Sequence, residues 1–170
     1  MIFIHAEKSS FDVFSCTFSS IFKSLKAELV KVLSNTSIYA IRALIYMMDS
    51  GTDGPVSVGE MSEKLKISFH FLTKILQKLT KAGLLESRRG PAGGISFEKS
   101  PERIFLADLV RIIEGDDFFD KCLLGLPGCG KMAPCPVHDF WKLNRGEMRK
   151  RFETISIYSL KDSKGRIADL

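Results

Sequence analysis

Cys122, Cys129, Cys135 and His138 fall within seventeen residues, separated by gaps of six, five and two residues. Thiolates and an imidazole are the donors that zinc and iron–sulfur clusters take. Gly125, Pro127, Gly128, Gly130, Pro134 and Pro136 are spread through the same stretch. They bar a regular helix or strand, so the donors must sit on a loop. Three thiolates with one imidazole could hold a 2Fe–2S cluster, a 4Fe–4S cluster or tetrahedral zinc. Zinc sites usually bring their cysteines in closer pairs than any gap between cysteines here. A histidine in place of a cysteine raises the reduction potential of a cluster and makes its binding depend on pH. The remaining cysteine, Cys16, is distant in sequence and reads as an incidental thiol. Cys135 and His138 between prolines make a poor nucleophile–base pair, and nothing else supplies one, so an enzyme is not expected.

A second kind of chemistry is electrostatic. From Lys64 to Arg89 there are seven basic residues and one acidic residue, Glu86, a local charge of +6 against +5 for the whole chain. Such a concentration suits a phosphate backbone. A solvated helix face is the ordinary alternative for scattered lysines.

The elements that would carry these residues can be read from spacing. Ser34 or Ser37 caps a helix to about Met48, with Ile38, Ile41, Leu44, Ile45 and Met48 inward. Ser57 and Glu60 have capping-box spacing and open a short helix that buries Val58, Met61 and Leu65. A tight turn at Lys66-Ile67 leads to Ser68, which caps a longer helix ended by Gly83. Short helix, turn, longer helix is the helix-turn-helix order. In the longer helix Phe71 and Leu72 read as core, and Ser68, His70, Thr73 and Lys74 read as the face that reaches DNA.

Leu84–Ser87 and Ile95–Glu98 then read as two strands around a glycine-rich tip that bears Arg88 and Arg89. Arginines at such a tip have no core to serve and suit the negative minor groove. A nucleotide-phosphate loop is a poor alternative, because the following helix and the lysine–hydroxyl pair are missing. A helix holding Leu106, Leu109, Val110 and Ile113 follows, and a last helix runs from about His138 to Tyr158. Its apolar positions exceed what one small domain needs, which predicts a partner helix from a second subunit, with packing onto its own domain as the alternative.

At 170 residues, 45% hydrophobic and 26% charged, the chain is sized for one globular domain with an arm. No apolar run is long enough to span a membrane, and residues 1–24 lack the pattern of a signal peptide, so a cytoplasmic protein is expected. Residues 1–30 look foreign to the domain: either upstream sequence read as protein or an amphipathic arm with Phe14, Phe18 and Phe22.

Several stretches resemble the Rrf-two family of bacterial transcription regulators, which includes IscR and NsrR types. They are Val32-Leu-Ser-Asn-Thr-Ser-Ile-Tyr-Ala-Ile-Arg-Ala-Leu-Ile-Tyr46, Ala82-Gly-Leu-Leu-Glu-Ser-Arg-Arg-Gly-Pro-Ala-Gly-Gly94, Leu106-Ala-Asp-Leu-Val110, Glu114-Gly115 and the cysteine triplet. The resemblance covers residues 31–158. It implies a dimeric winged-helix DNA-binding protein, usually a repressor, with Cys122, Cys129 and Cys135 as cluster ligands. His138 stands where the IscR type supplies a histidine, whereas the NsrR type supplies an aspartate where this chain has Ile38. The gap between Cys122 and Cys129 is one residue longer than in those types.

The expectation is therefore a mainly α fold with a small β-hairpin wing: a winged helix-turn-helix plus a long C-terminal dimerisation helix. The divisions are 1–30 extension, 31–115 DNA-binding domain, 116–138 cysteine loop, 139–160 dimerisation helix and 161–170 flexible tail. A homodimer would bind a double-stranded operator under control of an iron–sulfur cluster, 2Fe–2S favoured over 4Fe–4S. The cluster would sense iron–sulfur status, redox state or nitric oxide. The alternative keeps the regulator and makes the cysteines a thiol-redox or zinc switch.

Overall fold

The computed structural model describes residues 32–51, 54–90, 93–127 and 134–163. Cys16, Cys129, the extension at 1–30 and the tail beyond Ser163 lie outside them. Among the described residues five α-helices carry the fold: α1 (Asn35–Asp49), α2 (Val58–Leu65), α3 (Phe69–Lys81), α4 (Leu106–Glu114) and α5 (His138–Thr154). Between α3 and α4 lies an antiparallel hairpin of β1 (Leu85–Arg88) and β2 (Gly94–Phe97).

Ser34 caps α1 by accepting the amide hydrogen of Ser37 at 3.3 Å. Ala40, Ile41, Ala43, Leu44, Ile45 and Met47 are buried along its inner face, with Ile38 and Met48 only half-buried. α2 and α3 begin at Ser57 and Ser68 as expected, but neither hydroxyl makes a capping bond. The capping box at Ser57 and Glu60 is not formed because Glu60 instead accepts a 2.7 Å hydrogen bond from the Tyr46 hydroxyl. In α2 only Met61 is fully buried; Val58 and Leu65 are half-buried.

The turn between α2 and α3 places Lys66 in the left-handed region (φ 54). Ile67 is buried beneath it and tied back twice, by its amide to Ser62 O and by the Ser62 hydroxyl to its carbonyl. Leu72, Ile75, Leu76 and Leu79 of α3 are each at most 1% exposed. Burying one such side chain is worth about 1.5–3 kcal/mol, so this face fixes the angle at which α3 is presented. Gly83 (φ 72) ends α3; its amide bonds Thr80 O and that of Leu84 bonds Leu79 O, a Schellman closure.

The hairpin pairs Leu85 with Phe97, Glu86 with Ser96, Ser87 with Ile95 and Arg88 with Gly94. Val56, just before α2, adds a bridge to Ile95 with bonds of 2.8 and 2.9 Å. The wing is thereby fastened to the helix-turn-helix on its outer edge. This is a winged helix-turn-helix, mainly α with one small hairpin.

α5 stops at Thr154, four residues short of the expected end. Ile155 and Ile157 leave the helix to bond the strand-like segment before α4, with Leu106 N to Ile155 O at 2.9 Å and Ile157 N to Ile104 O at 2.8 Å. Ile157 is 0% exposed and Ile155 is half-buried against the same core, so two apolar residues of the expected last helix serve their own domain. A 3₁₀ segment, Tyr158–Ser163, follows, and Lys161 bonds Met48 O at 3.5 Å. The first residues of the supposed flexible tail are therefore structured. Among the described residues no helix is long and apolar enough to cross a membrane.

Candidate cysteine loop and nucleic-acid interface

The approach to Cys122 is held from several sides. After α4, a 3₁₀ turn at Phe118–Asp120 buries Phe119 to 1% exposure. Its ring meets Phe152 of α5 edge-on at 5.8 Å, with the guanidinium groups of Arg111 and Arg149 within 6 Å of its centroid. The next carbonyls are claimed by α5. Arg145 donates to Asp120 O at 2.8 Å and to Lys121 O at 3.2 Å, and the Trp141 indole donates to Lys121 O at 2.8 Å. Lys121 reaches back to Glu114 O and Asp117, each at 3.3 Å.

Beyond that pinned segment the chain turns at Cys122, whose carbonyl accepts from Gly125 N at 3.1 Å. Leu123, Leu124 and Leu126 are exposed there. At the far end Cys135 and His138 are joined across one turn, His138 N to Cys135 O at 2.9 Å, and His138 is the first residue of α5. Cys122, Cys135 and His138 are all half-buried. Among the described residues no three His, Cys, Asp or Glu side chains are grouped so as to hold a metal ion. The donor set fits an iron–sulfur cluster or zinc by its chemistry.

The helix that leads into this loop is tied to α1. Glu114, the last residue of α4, accepts from Ser34 N at 2.9 Å and from the Ser37 hydroxyl at 2.5 Å. Burial pushes its carboxyl up, but the hydroxyls of Ser34 and Ser37, the Ser34 amide and Lys121 outweigh it and hold the group below the usual range.

On α3, Ser68, His70 and Lys74 are exposed near the N-terminus, in one stretch with Gln77, Lys78 and Lys81 further along. Thr73 is half-buried and gives its hydroxyl proton to Phe69 O at 2.7 Å, leaving its oxygen as an acceptor. Phe71 is not core: it is 38% exposed and meets Tyr39 edge-on at 6.0 Å. Phe69, which sequence reasoning passed over, is 48% exposed at the helix start. Its place one residue after a capping serine was the available signal. Between α3 and the hairpin lies a cleft of about 490 Å³, lined in part by Thr73, Gln77, Lys81 and Ser87. On the wing, Arg88 donates to Glu86 at 2.8 Å, and Arg89 makes no ion pair among the described residues.

The profile of the Rrf2 family, described as iron-dependent transcriptional regulators, matches residues 15–163. An Aquifex aeolicus protein named for the HTH class of transcriptional regulators is 33% identical over 132 residues, covering 76% of this chain and 90% of that one. The HTH-type transcriptional regulator IscR of Aliivibrio salmonicida is 31% identical over 110 residues, 65% of either chain. Among solved structures, CymR, the global cysteine regulator of B. subtilis, superposes with a TM-score of 0.64 at 21% identity, covering 79% of this chain and 98% of its own. That likeness is one of fold.

Proposed function

The chain belongs to the Rrf2 family of transcriptional regulators, which are not enzymes, and on that premise we propose that it is a homodimeric repressor whose operator binding is set by an iron–sulfur cluster on Cys122, Cys129, Cys135 and His138. The observation that carries this reading is the anchoring of the cysteine loop. Its entrance is gripped by Trp141 and Arg145 of α5, and the helix leading into it ends at Glu114, which bonds the cap of α1. A change in how the loop closes is thus felt by both helices.

A bound cluster, 2Fe–2S by preference, would supply a cross-link sensitive to iron–sulfur supply, oxidation or nitric oxide. The chain's own residues do the rest. Ser68, His70, Thr73 and Lys74 face the major groove, and Arg88 and Arg89 approach the minor groove. Phe140 and Leu143 of α5, 66% and 69% exposed, suit burial against a second copy. Two recognition helices must then be spaced by about one turn of DNA, roughly 34 Å. The loop, by moving α5 against α1 and α4, shifts the population with that spacing.

A second reading, a thiol-redox or zinc switch on the same cysteines, takes its support from the donor types, since thiolates with an imidazole suit zinc as well as a cluster, and from Cys122, Cys135 and His138 being half-buried and still reachable from solvent. Metal and acid-labile sulfide analysis of full-length protein isolated without oxygen separates the two. Iron with sulfide, and a visible chromophore lost in Cys129→Ala, is the expected result. Zinc without sulfide, or metal-free thiols, would move the assignment to the second reading.

A further inference from the structure

The one acidic residue of the basic segment, Glu86, occupies the outer face of the wing. Side chains two apart on a strand share a face, so Glu86 and Arg88 lie side by side on β1. Across the ladder Glu86 faces Ser96, while Arg88 faces Gly94, which has no side chain to offer. One carboxylate oxygen of Glu86 accepts from both neighbours, the Ser96 hydroxyl and the Arg88 guanidinium, each at 2.8 Å. The Ser96 hydroxyl, and after it Arg88, hold the carboxyl below its usual range, so it is charged wherever DNA is bound. A guanidinium has five N–H donors, and Glu86 engages one of its nitrogens at Nη2. The other donors of the fork belong to a side chain 63% exposed.

We infer that Glu86 is a positioning residue for DNA recognition: braced by Ser96, it aims the Arg88 guanidinium at the nucleic acid. A free arginine gives up much rotamer freedom when it enters a groove. One already buttressed gives up less, and its planar donors arrive in a fixed orientation. The advantage exists only where a groove requires that orientation. Sequence-independent phosphate contacts do not need it, so Glu86 raises selectivity rather than overall affinity. This rests on reading Arg88 as a groove-entering residue.

The test uses full-length protein, a duplex enriched by the wild type from a random-sequence library and a scrambled duplex of the same composition. Removing an acid from a DNA-facing surface tightens binding to every duplex if charge alone matters. Positioning predicts the reverse for the enriched duplex: Glu86→Ala weakens it about two- to fivefold, the scale of an exposed ion pair, while scrambled binding holds or tightens. Ser96→Ala changes no charge and should weaken the enriched duplex in the same direction. Glu86→Gln keeps both hydrogen-bond partners and should retain the selectivity even if the alanine variant melts lower. In an Arg88→Ala background the Glu86→Ala loss should vanish. Equal tightening on both duplexes with a silent Ser96→Ala would overturn the inference and leave DNA binding intact. An Arg88→Ala variant that binds the enriched duplex like wild type, or failure to enrich any sequence, would overturn the wing reading as well.

Discussion

Gly94 shows how narrow the tolerance of the wing is at a single residue. A Cβ at this position would lie 2.4 Å from Val56 O, closer than any real contact, because Val56 and Ile95 pair there through the backbone. Gly94→Ala must push the bridge apart, and overpacking of this kind costs about 1–3 kcal/mol. Thermal melting should fall accordingly, while Gly54→Ala, with open space around it, should leave the wing alone. An unchanged melting point for Gly94→Ala would mean that the Val56 bridge contributes nothing. The sequence marked this glycine only as part of a loose tip. That it is a close-approach site depends on Val56, thirty-eight residues away, which no local pattern reports.

At the scale of elements, the helix starts were legible because serine caps and apolar spacing are local signals. What those serines bond to was not. The Glu60 carboxylate is drawn to the Tyr46 hydroxyl, a tertiary partner in place of a local one, and Ser57 makes no side-chain capping bond. Phe71 carries the apolar spacing of a core residue, yet its ring lies on the flank of α3 against Tyr39. The end of α5 was overread because Ile155 and Ile157 continue a helical rhythm; the backbone of the segment before α4 takes them instead.

The tie between α4 and α1 through Glu114 was equally hidden, though Glu114 and Ser34 were both in recognised stretches. Its carboxyl is depressed on folding, so the charged form stabilises the folded state above the ordinary glutamate value of 4.5, and that contribution is lost as pH falls through the folded value. Glu114→Gln should therefore melt below wild type at neutral pH, with the gap closing below about pH 4.5. A gap that persists unchanged in acid would assign the effect to shape and not to charge.

For the whole molecule, the cysteine loop lies in sequence and in hydrogen bonding between the parts that would read DNA and the helix that would pair subunits. The donor types were plain from the sequence, because cysteines are few and closely spaced. Their arrangement was not, since a Gly- and Pro-rich loop has no periodicity from which to place a side chain. The structure adds what composition could not: Phe119 as the buried anchor, and Arg145 and Trp141 as the grip on the entrance to Cys122. In the proposed function that grip would carry a local event at the cysteines into the attitude of α5, and the bonds of Glu114 tie the end of α4 to α1.

The most direct test of this account is a pair of anaerobic operator-binding isotherms, on full-length wild type before and after controlled loss of the cluster, with Cys129→Ala beside them. The account predicts that the two wild-type curves differ by about tenfold, within the usual range of allosteric coupling, and that Cys129→Ala follows the cluster-free curve and ignores the treatment. Three superimposed isotherms would contradict it.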